Sequence, residues 1–449
     1  LGVFGDDVTA TTITLDDVSA TLTATLELDV TAAKTLAGTV DGAAAGEGTL
    51  KVTAATKTIS GVVGGINSIR AVDIDAAAVF SSAVSATGMD VANGTGVTFN
   101  GDLTIGATKT TLNNATSEII FSGTSAQTVT GEIIGGSAEA GVIDVANTAG
   151  TVTFATAVGA TELKEVELDA SSTSIFSSTV KSALIDVDGH MTVSENNNVA
   201  NNLTLATTGT IVIEDTVVTT EEVFTVGSGL IDGSIAGTGN ILMPNNLLDG
   251  EQIDLFAGIT DAAIAAVLVD VELAVKDTAL MTYTATQVTA ADDNDISMVA
   301  AKRTGADAAA QLATTTNVAT GMVEAQAAVE DNTTLSDIFF NVMNEEGGMS
   351  ATADTELAKQ VAPQDDLQVG SVITSKAVTG AVQNVISNRM ASLRSGDAYV
   401  AGMSAGENLS ANSMFIQAFG SIVEQDDKIV GYLAIQKTLN DLHILGIGV

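Results

Sequence analysis

MDVANGTGVTF, Met89–Phe99, returns as IDVANTAGTVTF, Ile143–Phe154, with one residue inserted. A looser copy is IDVDGHMTV, Ile185–Val193. A second family pairs IRAVDID (Ile69–Asp75) with VFSS (Val79–Ser82), and returns as LKEVELD (Leu163–Asp169) with IFSS (Ile175–Ser178). Each copy is a short alternating run, a turn rich in Gly, Asn, Asp or Ala, and a second short run. Apolar residues at every second position mark a strand with one buried face. Copies separated by about 40 to 95 residues fit a rung of roughly 20-odd residues with loops of variable length.

The same texture extends from Leu1 to about Leu248, with runs such as Thr11–Leu15, Ile69–Ile74 and Thr210–Ile213. Many short strands suit a sandwich, a propeller or a solenoid, and internal repetition favours the solenoid. The expected fold is mainly β: a right-handed parallel β-helix over residues 1–250. Each rung buries its apolar residues in a shared column and pairs its backbone with the rungs on either side. Roughly twelve rungs at ~4.8 Å would make a rod of roughly 60 Å.

Beyond Pro244 the texture changes. Residues 251–291 read as a β capping and transition module, with strands at Ile253–Phe256, Ala266–Val275 and Leu280–Thr284. Residues 292–366 read as short helices and linker: Ala306–Leu312, Val318–Val329, Asn332–Asn344 and Asp354–Val361. Residues 367–411 read as one long helix, Leu367–Arg394, and a polar turn. That helix carries rows of Val, Ile and Ala between Gly, Ser and Thr, and among its residues only Lys376, Arg389 and Arg394 are charged. Residues 412–449 open with the strand-like Met414–Ser421.

Composition narrows the function classes. Lys and Arg number 16 against 55 Asp and Glu, a net charge of -39. Such a chain repels phosphate backbones and anionic lipid, so no nucleic-acid partner is expected. Cysteine is absent, which removes disulfides, thiolate metal sites and cysteine nucleophiles. Aromatics are 3%, too few to supply many stacking platforms for sugars or bases. No run of 18 apolar residues provides a membrane-spanning helix.

Candidate chemistry is sparse. Asp292, Asp293 and Asp295 form the densest acidic group and are the metal candidates, with Ca²⁺ the cation their oxygens would suit. EF-hand spacing is lacking, and no other cofactor is expected. His190 sits on a predicted turn far in sequence from His443, the other histidine. The carboxylates Asp73, Asp75, Asp90, Asp144, Glu167, Asp169 and Asp186 recur in the repeats and could stack on one face. A carbohydrate-active β-helix enzyme would need such carboxylates in a cleft with a basic partner. The plainer reading is a solvated, outward-facing Asp in each repeat.

From about Asp292 onward the chain resembles the junction of bacterial autotransporters. Ala381–Arg394 (AVQNVISNRMASLR) is similar to that family's asparagine-containing pore helix. Met414–Ser421 resembles its first barrel strand, and Ile429–Ala434 could be the second. Turns such as Gly38–Leu50 are similar to those of rickettsial-type surface passengers. The sequence departs from the family at Phe415, where tryptophan is common, and only about 30 residues follow the first strand. A roughly 12-stranded barrel would therefore be incomplete in this chain.

The resemblance implies a non-enzymatic extracellular protein of the bacterial outer-membrane surface. It would be a rod-like passenger acting as surface coat, array component or adhesin. Implied partners are further copies of itself, a host or neighbouring-cell surface, and the outer membrane through a translocator barrel. The alternatives are the β-helix enzyme and a calcium-dependent surface-layer protein.

Overall fold

The structure is a computed structural model. It describes residues 2–328 apart from 5, 20, 21, 30, 93, 215, 218–220, 227–238, 245, 260–263 and 291–292. Beyond them it describes 379, 380, 383, 387, 390, 391, 417–424 and 441–448.

The repeats coil into a parallel β-solenoid of about nine turns. Among the described residues the turns build three parallel ladders, here called faces A, B and C. Face A stacks Lys57–Ile59, Ala78–Phe80, Gly96–Phe99, Glu118–Phe121 and Val142–Val145. Face B stacks Gln127–Thr130, Thr151–Phe154, Thr173–Phe176, His190–Val193 and Thr210–Ile213. Face C begins with Gly2–Phe4, Thr25–Leu28, Glu47–Val52 and Ile69–Ile74.

Alternation decides what each strand buries. In Thr151–Phe154 the Val152 and Phe154 side chains are buried, while Thr151 and Thr153 are only half-buried. Stacked rungs turn these positions into continuous inner columns. Phe80, Phe99, Phe121, Phe154 and Phe176 form one such column, with ring centroids 5.1, 6.1, 5.5 and 4.7 Å apart.

That column also records a drift of the repeat around the axis. Phe80, Phe99 and Phe121 lie on face A, whereas Phe154 and Phe176 lie on face B. The crossing falls at Phe121–Phe154, where the rings turn edge-on at 87° while the pairs on either side stack at 30° and 6°. Phe224 and Phe256 continue on face C, 5.8 Å apart.

The long strands move in step. Lys34–Gly42 spans faces A and B, Leu103–Leu112 spans B and C, and Val158–Leu168 spans C and A. A rung is thus one long bent strand plus one short strand with an inward Phe in its best-formed copies. Met89–Phe99 is this unit at the C-to-A corner, and Ile143–Phe154 is the same unit at the A-to-B corner.

The solenoid ends in a change of strand direction. Gln252–Ile259 pairs in parallel with Phe224–Thr225 and antiparallel with Asp293–Lys302. Asp293–Lys302 in turn pairs antiparallel with Met281–Ala290. Two expectations are corrected here. Ala266–Val275 is not a strand: Ile264–Ala274 is a helix, α1. Its apparent alternation hides a helical spacing, since Val271, Ala274 and Val275 are buried together while Val269 and Leu273 are exposed. The helical region also does not begin at residue 292, because Asp293–Lys302 is a strand with Ile296, Met298 and Ala300 all buried. The cap therefore runs on past residue 291.

Helices α2 (Gly305–Gln311) and α3 (Thr316–Ala328) follow, close to the expected positions. Thr304 caps α2 by accepting the Asp307 N–H on its side chain. The expected helices at Asn332–Asn344 and Asp354–Val361 lie outside the described residues. Within Leu367–Arg394, the six described residues between 379 and 391 are helical. Among the described residues no helix is long and apolar enough to cross a membrane. Gln417–Glu424 overlaps the expected first barrel strand and pairs antiparallel with Asp441–Gly448. Ile429–Ala434 lies outside the described residues.

Candidate functional site

The repeated carboxylates project outward, because their neighbours in the alternation point in. They do not share one face. Asp73 and Asp90 are in register on face C, in a column that runs Glu27, Lys51, Asp73, Asp90, Thr111. Asp144, Glu167 and Asp186 are in register on face A, in a column that runs Ile120, Asp144, Glu167, Asp186, Thr204. The expectation of a single stack is corrected by the drift of the repeat: equivalent residues occupy different corners of the rod.

The two columns differ in charge balance. On face C the Lys51 ammonium sits 2.6 Å from Asp73 and 2.8 Å from Asp75. Its hydrogen bonds to Asp73 and Asp75 hold its pKa above the ordinary amine value. Arg70 pairs with Asp17 and donates to Thr49 at 2.7 Å, and Lys109 pairs with Glu132. Asp90 accepts from the Asn113 amide at 2.5 Å.

On face A, among the described residues, no ion pair joins Asp144, Glu167 or Asp186 to a base. Of the nearest cations in the sequence, Lys164 lies 3.4 Å from Glu165 instead, and Lys181 stands at the face-C end of the Asp186 strand, in register with Val199. Burial pushes the Asp144 carboxyl up to about 7, and Asp169, Glu167 and Glu118 add to the shift. Burial also raises Glu167 and Asp186, followed by their acidic neighbours. One oxygen each of Asp144 and Asp186, Oδ1, is shielded from solvent and accepts no hydrogen bond.

A groove of about 540 Å³ runs beside the face-A strands, lined by Lys57, Thr58, Val79, Thr98 and Ile120 among others. None of the seven repeated carboxylates lines it. Lys57 is buried, and its ammonium donates to the Ala32 and Ala55 carbonyls at 2.9 Å each. It therefore belongs to the corner of the fold rather than to the groove's chemistry.

Asp75 and Asp90 lie on the Lys51 side of the rod, and Asp144 and Asp169 lie on the other ladder, so the structure does not bring these four into one cleft. Asp292 falls outside the described residues. Asp293 and Asp295 stand at the start of Asp293–Lys302, paired with Ala290 and Val288. Among the described residues no group of three or more His, Asp and Glu is placed to hold a metal ion. His190 begins a face-B strand, in register with Thr173 and Thr210.

Sequence reasoning missed the buried amides at the corners. Gln127 accepts the Gly123 N–H at 3.0 Å and donates to the Phe99 and Gly101 carbonyls. Asn147, one rung on, donates to Gln127 Oε1 at 2.8 Å. The Asn in both copies of the VAN turn was a visible signal for Asn147.

Protein-family models, curated proteins and solved structures were compared with the chain, and none matches it.

Proposed function

We propose that the chain is a non-enzymatic extracellular surface protein, a rod-like passenger that serves as surface coat, array component or adhesin. The observation that carries this reading is the parallel solenoid of about nine turns. Stacked rungs resist local opening because the inner strands are paired on both sides, and loops at the corners are free to vary and make contacts. The net charge of -39 suits a solvated surface rod, and the absence of cysteine suits a chain exported unfolded. The autotransporter-like junction after Asp292 supports export through an outer-membrane translocator. Rung-by-rung folding outside the cell would draw the chain outward, since each new rung gains a full set of ladder hydrogen bonds.

Immunolabelling of intact bacteria, with and without protease shaving, tests this. Surface label that disappears on shaving is the expected result. Confinement to the cytoplasm would overturn the reading.

A further inference from the structure

We propose that the in-register stack Asp144–Glu167–Asp186 is a proton-operated lock on face A, tight when the stack is partly protonated and loosened when it is fully ionised. The ground is geometric. Three carboxyl-bearing residues occupy directly paired positions on three consecutive rungs. Rungs repeat at about 4.8 Å, and like charges directly opposite one another destabilise strand pairing. The solvent-shielded Oδ1 atoms of Asp144 and Asp186 are acceptors for which the surrounding chain supplies no donor. A proton held between neighbouring carboxyls supplies one.

The equivalent unit on face C serves as an internal control. There Lys51 stands in the column and bridges Asp73 and Asp75, so these two carboxylates have a cationic partner without protons, while burial still raises Asp90 beside them. On face A the column runs from Ile120 to Thr204 with no base in it. The groups facing it from every packed strand are Glu118 from Glu118–Phe121, Lys164 and Glu165 from Val158–Leu168, and Asn202 and Thr204 from Asn198–Leu205. Asp169 and Asp188 join them from the corner turns, where their N–H groups donate to Val145 and Leu168. Lys164, the one cation of this set, is the partner of Glu165.

The direction of the effect follows. Each of the three carboxyls has its pKa raised in the folded chain. A raised group contributes stability that is complete below its unfolded pKa and is lost as pH rises through its folded pKa. The window therefore opens near the ordinary carboxylate value of 3.8 and closes for Asp144 at about 7. Acidification from neutral should tighten these rungs, opposite to the usual acid loss of stability.

The test is thermal unfolding of the full chain between about pH 7.5 and about pH 5.5, against the near-isosteric triple variant Asp144→Asn, Glu167→Gln, Asp186→Asn. The wild type should gain about 3–8 °C in Tm on acidification. The triple variant should melt higher at neutral pH and lose most of that slope. An equal slope in both proteins would overturn the proposal, assigning the effect to general repulsion in a chain of charge -39. Should the triple variant not fold, amide exchange of wild-type residues 142–187 decides: slower exchange at the lower pH, localised to these strands, supports the lock. Uniform change along the solenoid refutes it.

Discussion

At the scale of single residues, the solenoid is held by what lies inside each corner and column. Gln127 satisfies a buried N–H and two carbonyls and accepts from Asn147, so one side chain ties together two rungs and a turn. Gln127→Ala leaves all four groups without that partner in a buried corner, and should cost about 2–3 kcal/mol. Chemical denaturation measures this, and an unchanged midpoint would contradict the role. Phe99 stacks on Phe80 and Phe121 and is wholly buried. Phe99→Ala should cost about 3–5 kcal/mol, because the rungs above and below cannot collapse into the space. The Phe positions were legible in the sequence as the end of each VTF or VFS run. The Gln127 network was not, since three of its four partners lie 20 to 28 residues away.

At the scale of elements, Lys51 decides how the face-C ladder behaves. Removing it as Lys51→Met would leave Asp73, Asp75 and Asp90 stacked without their bridging cation. The variant should lose stability at neutral pH and recover part of it on acidification, with a steeper slope than the wild type, in which Asp90 is the raised carboxyl of this ladder. Tm measured against pH reads both effects, and a variant whose Tm loss is independent of pH would show that Lys51 acts by packing alone. Strands were the most legible elements: Ile69–Ile74 and Thr210–Ile213 fall where alternation places them. The cap was the least legible. A run of Val and Leu at 266–275 satisfies two periods at once, and packing chose the helical one. Asp293–Lys302 carries clean alternation through Ile296, Met298 and Ala300, but its first residues are acidic, Ala-rich helices follow it, and its partners lie on both sides of it in space.

For the whole molecule, the rod makes a metric prediction. Thr35 and Thr204 stand in one outward column on face A, eight rung steps apart. At about 4.8 Å per step their backbones lie about 38 Å apart. The chain contains no cysteine, so Thr35→Cys with Thr204→Cys takes two spin labels cleanly. A distance distribution centred far below that value would contradict the solenoid. Alternating hydrophobicity and Gly–Asn turns are properties of short segments, so the sequence by itself determined the class of fold, the approximate rung length and many of the strand positions. Which face a strand joins depends on the accumulated length of every rung before it. A small offset in loop length rotates the repeat by one corner, and only the tertiary structure settled that Asp73 meets a lysine while its counterpart Glu167 meets two further carboxylates.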